Sequence, residues 1–95
     1  MDKRTYERSM DTMMREEVAR VEMVIKQIEK AKARGEEMGG GNDKVNEIRA
    51  KQKKAQEKLD ELKAAGEDNW EHIKPDLDDA LNDLKNSVNE AISAF

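Results

Sequence analysis

The 95-residue chain contains no cysteine. That excludes a disulfide framework, a thiolate metal site and a cysteine nucleophile. It has one histidine, His72, and one proline, Pro75. His72 and Asp76 stand four residues apart, but a metal site needs three or four good ligands, and no cysteine or second histidine exists to supply them. His72 therefore reads as a solvated or partner-contacting side chain. Aromatics are reduced to Tyr6, Trp70 and Phe95. No apolar run approaches the ~18 residues of a membrane span. The N-terminal Met1-Asp2-Lys3-Arg4-Thr5-Tyr6 is followed by no apolar segment, so no secretory signal is expected and the cytoplasm is the expected compartment.

What is present is charge and helix-forming residues. Charged residues make up 42% of the chain and apolar residues 36%, a composition poor in core and rich in surface. Such a balance fits disorder unless the apolar residues are ordered in space. They are. Ala, Glu, Lys, Leu and Met dominate, all strong helix formers. The length allows one domain, 1–95.

The first stretch, from about 3 to 37, holds Tyr6, Met10, Met14, Val18, Val21, Ile25 and Ile28 at steps of four, then of four and three. The later part is a heptad seam, and the run of fours is a stutter that locally unwinds a supercoil. Glu16–Arg20 and Glu22–Lys26 sit at the favourable i,i+4 orientation on the opposite side. Met10, Met13, Met14 and Met23 make this helix rich in methionine. That suits an adaptable partner-binding surface, and equally suits gap-filling between helices.

Gly35 and Gly39-Gly40-Gly41-Asn42 follow. Three successive glycines inside a helix would cost roughly 3 kcal/mol relative to alanine, so a chain reversal is expected there, with Asn42 or Asp43 as N-cap of the next helix. Lys44 does not make this a phosphate loop, since G-x-x-x-x-G-K-[ST] and its preceding strand are missing. Val45, Ile48, Gln52, Ala55, Leu59 and Leu62 then form a regular heptad over about 43–65. Gln52, its one polar member, sets register if buried and is inert if half exposed. Gly66 is expected as the glycine that ends this helix, and Asp68 as the N-cap of the third, with Glu71 completing a capping box.

The third seam, over about 69–94, is Trp70, Ile73, Leu77, Leu81, Leu84, Val88, Ala91 and Phe95, with Ile92 beside it. Pro75 lies opposite Ile73 and Leu77, so a solvent-facing proline with a kink or loose first turn is expected. Net charge is unevenly spread. Residues 67–95 carry eight acidic and two basic groups, whereas 36–65 carry seven of each and 1–34 carry seven acidic and nine basic. A hairpin centred near residue 67 places Lys58 opposite Asp76, Lys51 opposite Asp83, and Lys53 and Lys54 near Asp79. These pairs select a register more than they add stability.

Chemistry finds little purchase. Asp76, Asp78, Asp79 and Asp83 lack calcium-loop spacing. Ser9, Ser87 and Ser93 have no base and orienting partner in prospect. No enzyme activity, metal, cofactor or small-molecule substrate is expected. The basic cluster Arg49, Lys51, Lys53, Lys54 and Lys58 has no interleaved aromatics, and the chain is acidic overall, so no nucleic acid is expected either.

The segment Gln56-Glu57-Lys58-Leu59-Asp60-Glu61-Leu62-Lys63-Ala64-Ala65-Gly66-Glu67-Asp68-Asn69-Trp70-Glu71-His72-Ile73-Lys74 resembles the core of small uncharacterised bacterial coiled-coil proteins. They share a K-L-x-E-L-K-x-A run, a short turn and W-x-x-[IL]-K. Leu77, Ala80, Leu81, Leu84, Lys85 and Ala91 continue the resemblance, and Tyr6, Met10 and Met14 extend it more loosely. The chain departs from that pattern at Gly39-Gly40-Gly41 and at Pro75. The resemblance implies a helical hairpin and no catalytic residues.

The expectation is an all-α antiparallel three-helix bundle. Its hairpin turn and seam comprise Leu59, Leu62, Gly66, Asp68, Trp70, Ile73 and Leu77. A first helix of about 50 Å against a second of about 35 Å leaves part of the first uncovered. Tyr6, Met10, Met13 and Met14 are then the candidate interaction surface, taken by another protein or a second copy. The expected function is a structural or protein-interaction role through coiled-coil packing. The alternative is peripheral binding to a lipid surface, for which the mildly basic first helix is the better candidate.

Overall fold

The computed structural model describes residues 2–35 and 41–94, with side chains at 2–35 and 43–93. Three helices, α1 (Lys3–Ala33), α2 (Gly41–Ala64) and α3 (Trp70–Ala94), pack along one another in a rod of 53 × 18 × 18 Å. α2 runs antiparallel to α1, since Lys63 near its end pairs with Asp11 near the start of α1 at 2.7 Å. α3 runs parallel to α1. Tyr6 meets Lys74 and Asp78 at one end, and Arg20 meets Asn89 farther along. The all-α three-helix bundle is therefore as the periodicity predicts.

The start of α1 and the end of α3 fall where predicted, and the other four helix ends differ by one to four residues, for local reasons. The Asp2 carboxylate accepts the Thr5 N–H at 2.8 Å and caps α1. α1 stops at Ala33, short of 37. Arg34 N–H reaches Lys30 O, Gly35 N–H reaches Lys32 O, and Gly35 adopts φ 79°, the left-handed conformation that ends helices. α2 already includes Gly41, so Asn42 and Asp43 sit in its first turn rather than at its cap. Asp43 there suits the helix dipole. Residues Gly39 and Gly40 lie outside the described residues.

The turn between α2 and α3 corrects two expectations. Gly66 is not the left-handed terminator, because its φ is not positive. α2 instead tightens at its end, with Ala65 N–H on Leu62 O. Asp68 is not the N-cap, because it lies inside the turn and Asn69 is the residue before α3. The carbonyl of Gly66 accepts both Asn69 N–H and Trp70 N–H, which turns the chain without a carboxylate cap. α3 then runs unbroken through Pro75, which is exposed as predicted. The missing N–H at Pro75 costs one backbone bond on the solvent side, where water can replace it.

The charge-derived register holds at its ends. Lys58 Nζ stands 4.0 Å from Asp76, and Lys44 Nζ stands 2.8 Å from Glu90. The expected Lys51–Asp83 pair is replaced. Lys51 donates to Ser87 Oγ at 2.7 Å and pairs with Glu47 at 3.2 Å. Ser87 is buried, so its hydroxyl offers Lys51 a partner one turn farther along α3. Lys53 and Lys54 are exposed.

The core is continuous from Tyr6 to Ala91. Ile48, Ala55, Leu59 and Leu62 from α2 meet Leu77, Leu81, Leu84, Val88 and Ala91 from α3, all buried. Each fully buried leucine contributes on the order of 2 kcal/mol. Val45, Ala65 and Ile73 pack at its margin, and Gln52 is half-buried.

Candidate interaction surface

The predicted surface on α1 has to be divided. Tyr6 (3% exposed), Met10 (8%) and Met14 (3%) are core residues, so the expectation that they are left uncovered is corrected. The mismatch in helix length is real, but α3 closes it. α2 runs back along α1 as far as Asp11, and the turn to Trp70 brings α3 over its beginning. The Tyr6 and Trp70 rings lie 5.7 Å apart at 37°, and the Lys74 ammonium sits 5.1 Å over the Tyr6 ring. The Tyr6 hydroxyl donates to the Asp78 carboxylate and to Lys74 O at 3.3 Å. Burial first, then the hydrogen bond to Asp78, holds the tyrosine well above its ordinary pKa of 10.0.

Met13 remains at the edge. With Met10, Leu81, Asp78, Asn82 and Lys85 it lines an open groove of about 290 Å³ between α1 and α3. Farther along the same groove, Arg20 bridges to Asn89, and Glu17 accepts from Arg20 at 2.8 Å. One helical turn beyond that bridge stand Met23 and Ile92, 52% and 44% exposed, the large apolar side chains left to solvent among the described residues. Lys26, Gln27 and Lys30 continue the strip beside Met23.

Two features of this face escaped the sequence reading. Glu17 is buried to 2% exposure, and its Oε2 atom has no hydrogen-bond partner. A seam drawn through apolar residues alone runs from Met14 to Val18 and passes over this glutamate. Yet Met10, Met14, Glu17, Val21, Val24, Ile28 and Ala31 are all buried and follow an unbroken heptad. Val18 and Met13 pack at its edge. Extending the later heptad backward would have exposed Glu17 as its charged member. Second, the positions one before that seam, Ser9, Met13, Glu16, Arg20, Met23, Gln27 and Lys30, form a parallel stripe with the same spacing.

Elsewhere the charged side chains form bridges across the bundle. Lys44 joins Glu47 at 3.3 Å and Glu90 at 2.8 Å. The hydrogen bond to Glu90 is the main cause that raises Lys44 above its usual range, and the one to Lys51 the main cause that lowers Glu47. His72 is exposed. Among the described residues no group of three or more histidine or acidic side chains is placed to hold a metal ion, and no helix is long and apolar enough to cross a membrane. Compared with protein-family models, curated proteins and solved structures, the chain matches none.

Proposed function

We propose that this protein serves a non-enzymatic structural or protein-interaction role through helix packing, with the α1/α3 face as its docking surface. The observation that carries this reading is the shared level of Met23 and Ile92. Both are large, apolar and exposed, and each stands one helical turn past a member of the polar Arg20–Asn89 bridge. An apolar centre with a polar rim is the usual anatomy of a protein contact. The heptad seams of the α2–α3 hairpin agree with such a role.

Binding to a lipid surface is the competing reading, favoured by Lys26 and Lys30 beside Met23. Circular dichroism with and without anionic vesicles separates the two. The bundle reading expects the same high helicity in both, with the protein left in solution on vesicle flotation. Helicity that appears only with lipid, or flotation with the vesicles, contradicts it.

A further inference from the structure

The stripe on α1 beside its buried seam, which meets α3 at Met13 and Arg20, reads Ser9, Met13, Glu16, Arg20, Met23, Gln27. It is symmetric in chemistry about Val18: a methionine pairs with a methionine, an acid with a base, a small polar residue with a polar one. We propose that a second copy of this chain lies antiparallel across the α1/α3 groove, with a two-fold axis at the level of Val18. The inference rests on the docking reading above and names the partner.

The geometry supports the partner in three ways. The axis sets Met13 of each copy against Met23 of the other, so the half-open methionine covers the exposed one. It sets Glu16 against Arg20, an opposite-charge pair made twice. It also sets the Asp78 end of one copy, at the level of Tyr6, against Lys30 of the other. A parallel copy would put Glu16 against Glu16 and Lys30 against Lys30, which like-charge repulsion disfavours. The strip from the level of Tyr6 to Lys30 is about 36 Å long. With the rod's 18 Å width it offers roughly 650 Å², close to the ~800 Å² per partner of a standard stable interface. Self-complementary contacts of this kind are the rule for two-fold dimers.

Zero-length carbodiimide coupling of the full chain, followed by peptide mapping, tests the arrangement. It joins only a lysine and a carboxylate already in contact. Within one chain, Lys30 and Asp78 sit about 36 Å apart along the bundle, so a Lys30–Asp78 link must join two copies. The expected result is a covalent dimer containing that link. Sedimentation should show dimer growing with concentration, and Met23→Glu combined with Ile92→Glu should weaken it by about tenfold or more, the cost of burying unpaired charge. Lys30→Glu, which alters only an exposed group, should weaken it more modestly. Monomer at every concentration overturns the proposal, as does a dimer whose links join like ends, or one indifferent to both variants. A strict monomer that stays helical without vesicles would leave helix docking to a different protein, so the two readings fail separately.

Discussion

At the scale of single residues, Glu17 is the costliest side chain in the core. It is almost wholly buried, one of its oxygens has no partner, and the other leans on a single arginine. Replacing a buried ionic group by an apolar one of similar size is often stabilising. Glu17→Met should therefore raise the stability measured by urea unfolding by about 1 kcal/mol or more. Arg20→Ala should destabilise the native chain markedly and the Glu17→Met chain far less, because only the former is left with an uncompensated buried charge. Tyr6 makes the opposite contribution. Tyr6→Phe removes the donor to Asp78 and Lys74 O, and should lower stability by about 1–2 kcal/mol. The folded state raises the tyrosine's pKa above its unfolded value of 10.0. The folded protein thus holds that proton more tightly, and the contribution is complete below pH 10 and lost as pH rises above it. Unfolding curves at neutral and strongly alkaline pH should show the fall in the native chain and a smaller one in Tyr6→Phe.

At the scale of elements, the two loop glycines make opposite predictions. A Cβ at either Gly35 or Gly66 would meet no neighbour within 4 Å, but only Gly35 has a positive φ, of 79°. Gly35→Ala should cost about 1 kcal/mol through backbone strain. Gly66→Ala should be neutral or stabilise by up to about 1 kcal/mol, because it restricts only the unfolded chain. Paired thermal melts settle both. The turn before Trp70 is the clearest punctuation in the sequence, so local preference points to Gly66 as the terminating glycine. Backbone handedness depends on how the next helix returns, and no local residue preference reveals that. Pro75 sits exposed inside α3. Pro75→Ala restores an N–H for the preceding turn and should stabilise by about 1 kcal/mol or more, less the entropy regained by the unfolded chain.

At the scale of the whole molecule, the stagger of the helices decides which surfaces remain for function. α2 and α3 are each shorter than α1, yet together they cover it from Tyr6 to Ala31. The heptad seams of α2 and α3, and the Lys58–Asp76 register, were legible because apolar spacing and charge sign act locally and repeat. The burial of Tyr6, Met10 and Met14 was not legible. It depends on α3 running parallel to α1 with its first turn drawn back over the start of the rod, a relation between distant segments. Met23 and Ile92 were each visible as residues, but that they share one level of the rod was not, for the same reason. With Tyr6 inside, the docking face we propose moves from the start of α1 to the α1/α3 side, where substitutions are expected to change association but leave folding intact.

Sedimentation equilibrium of the native chain beside the Met23→Glu/Ile92→Glu chain, from micromolar to millimolar concentration, tests that central claim most directly. The account predicts a monomer–dimer equilibrium in the native chain and a monomer in the double variant, with identical circular dichroism. Equal association of the two chains, or none in either, would contradict it.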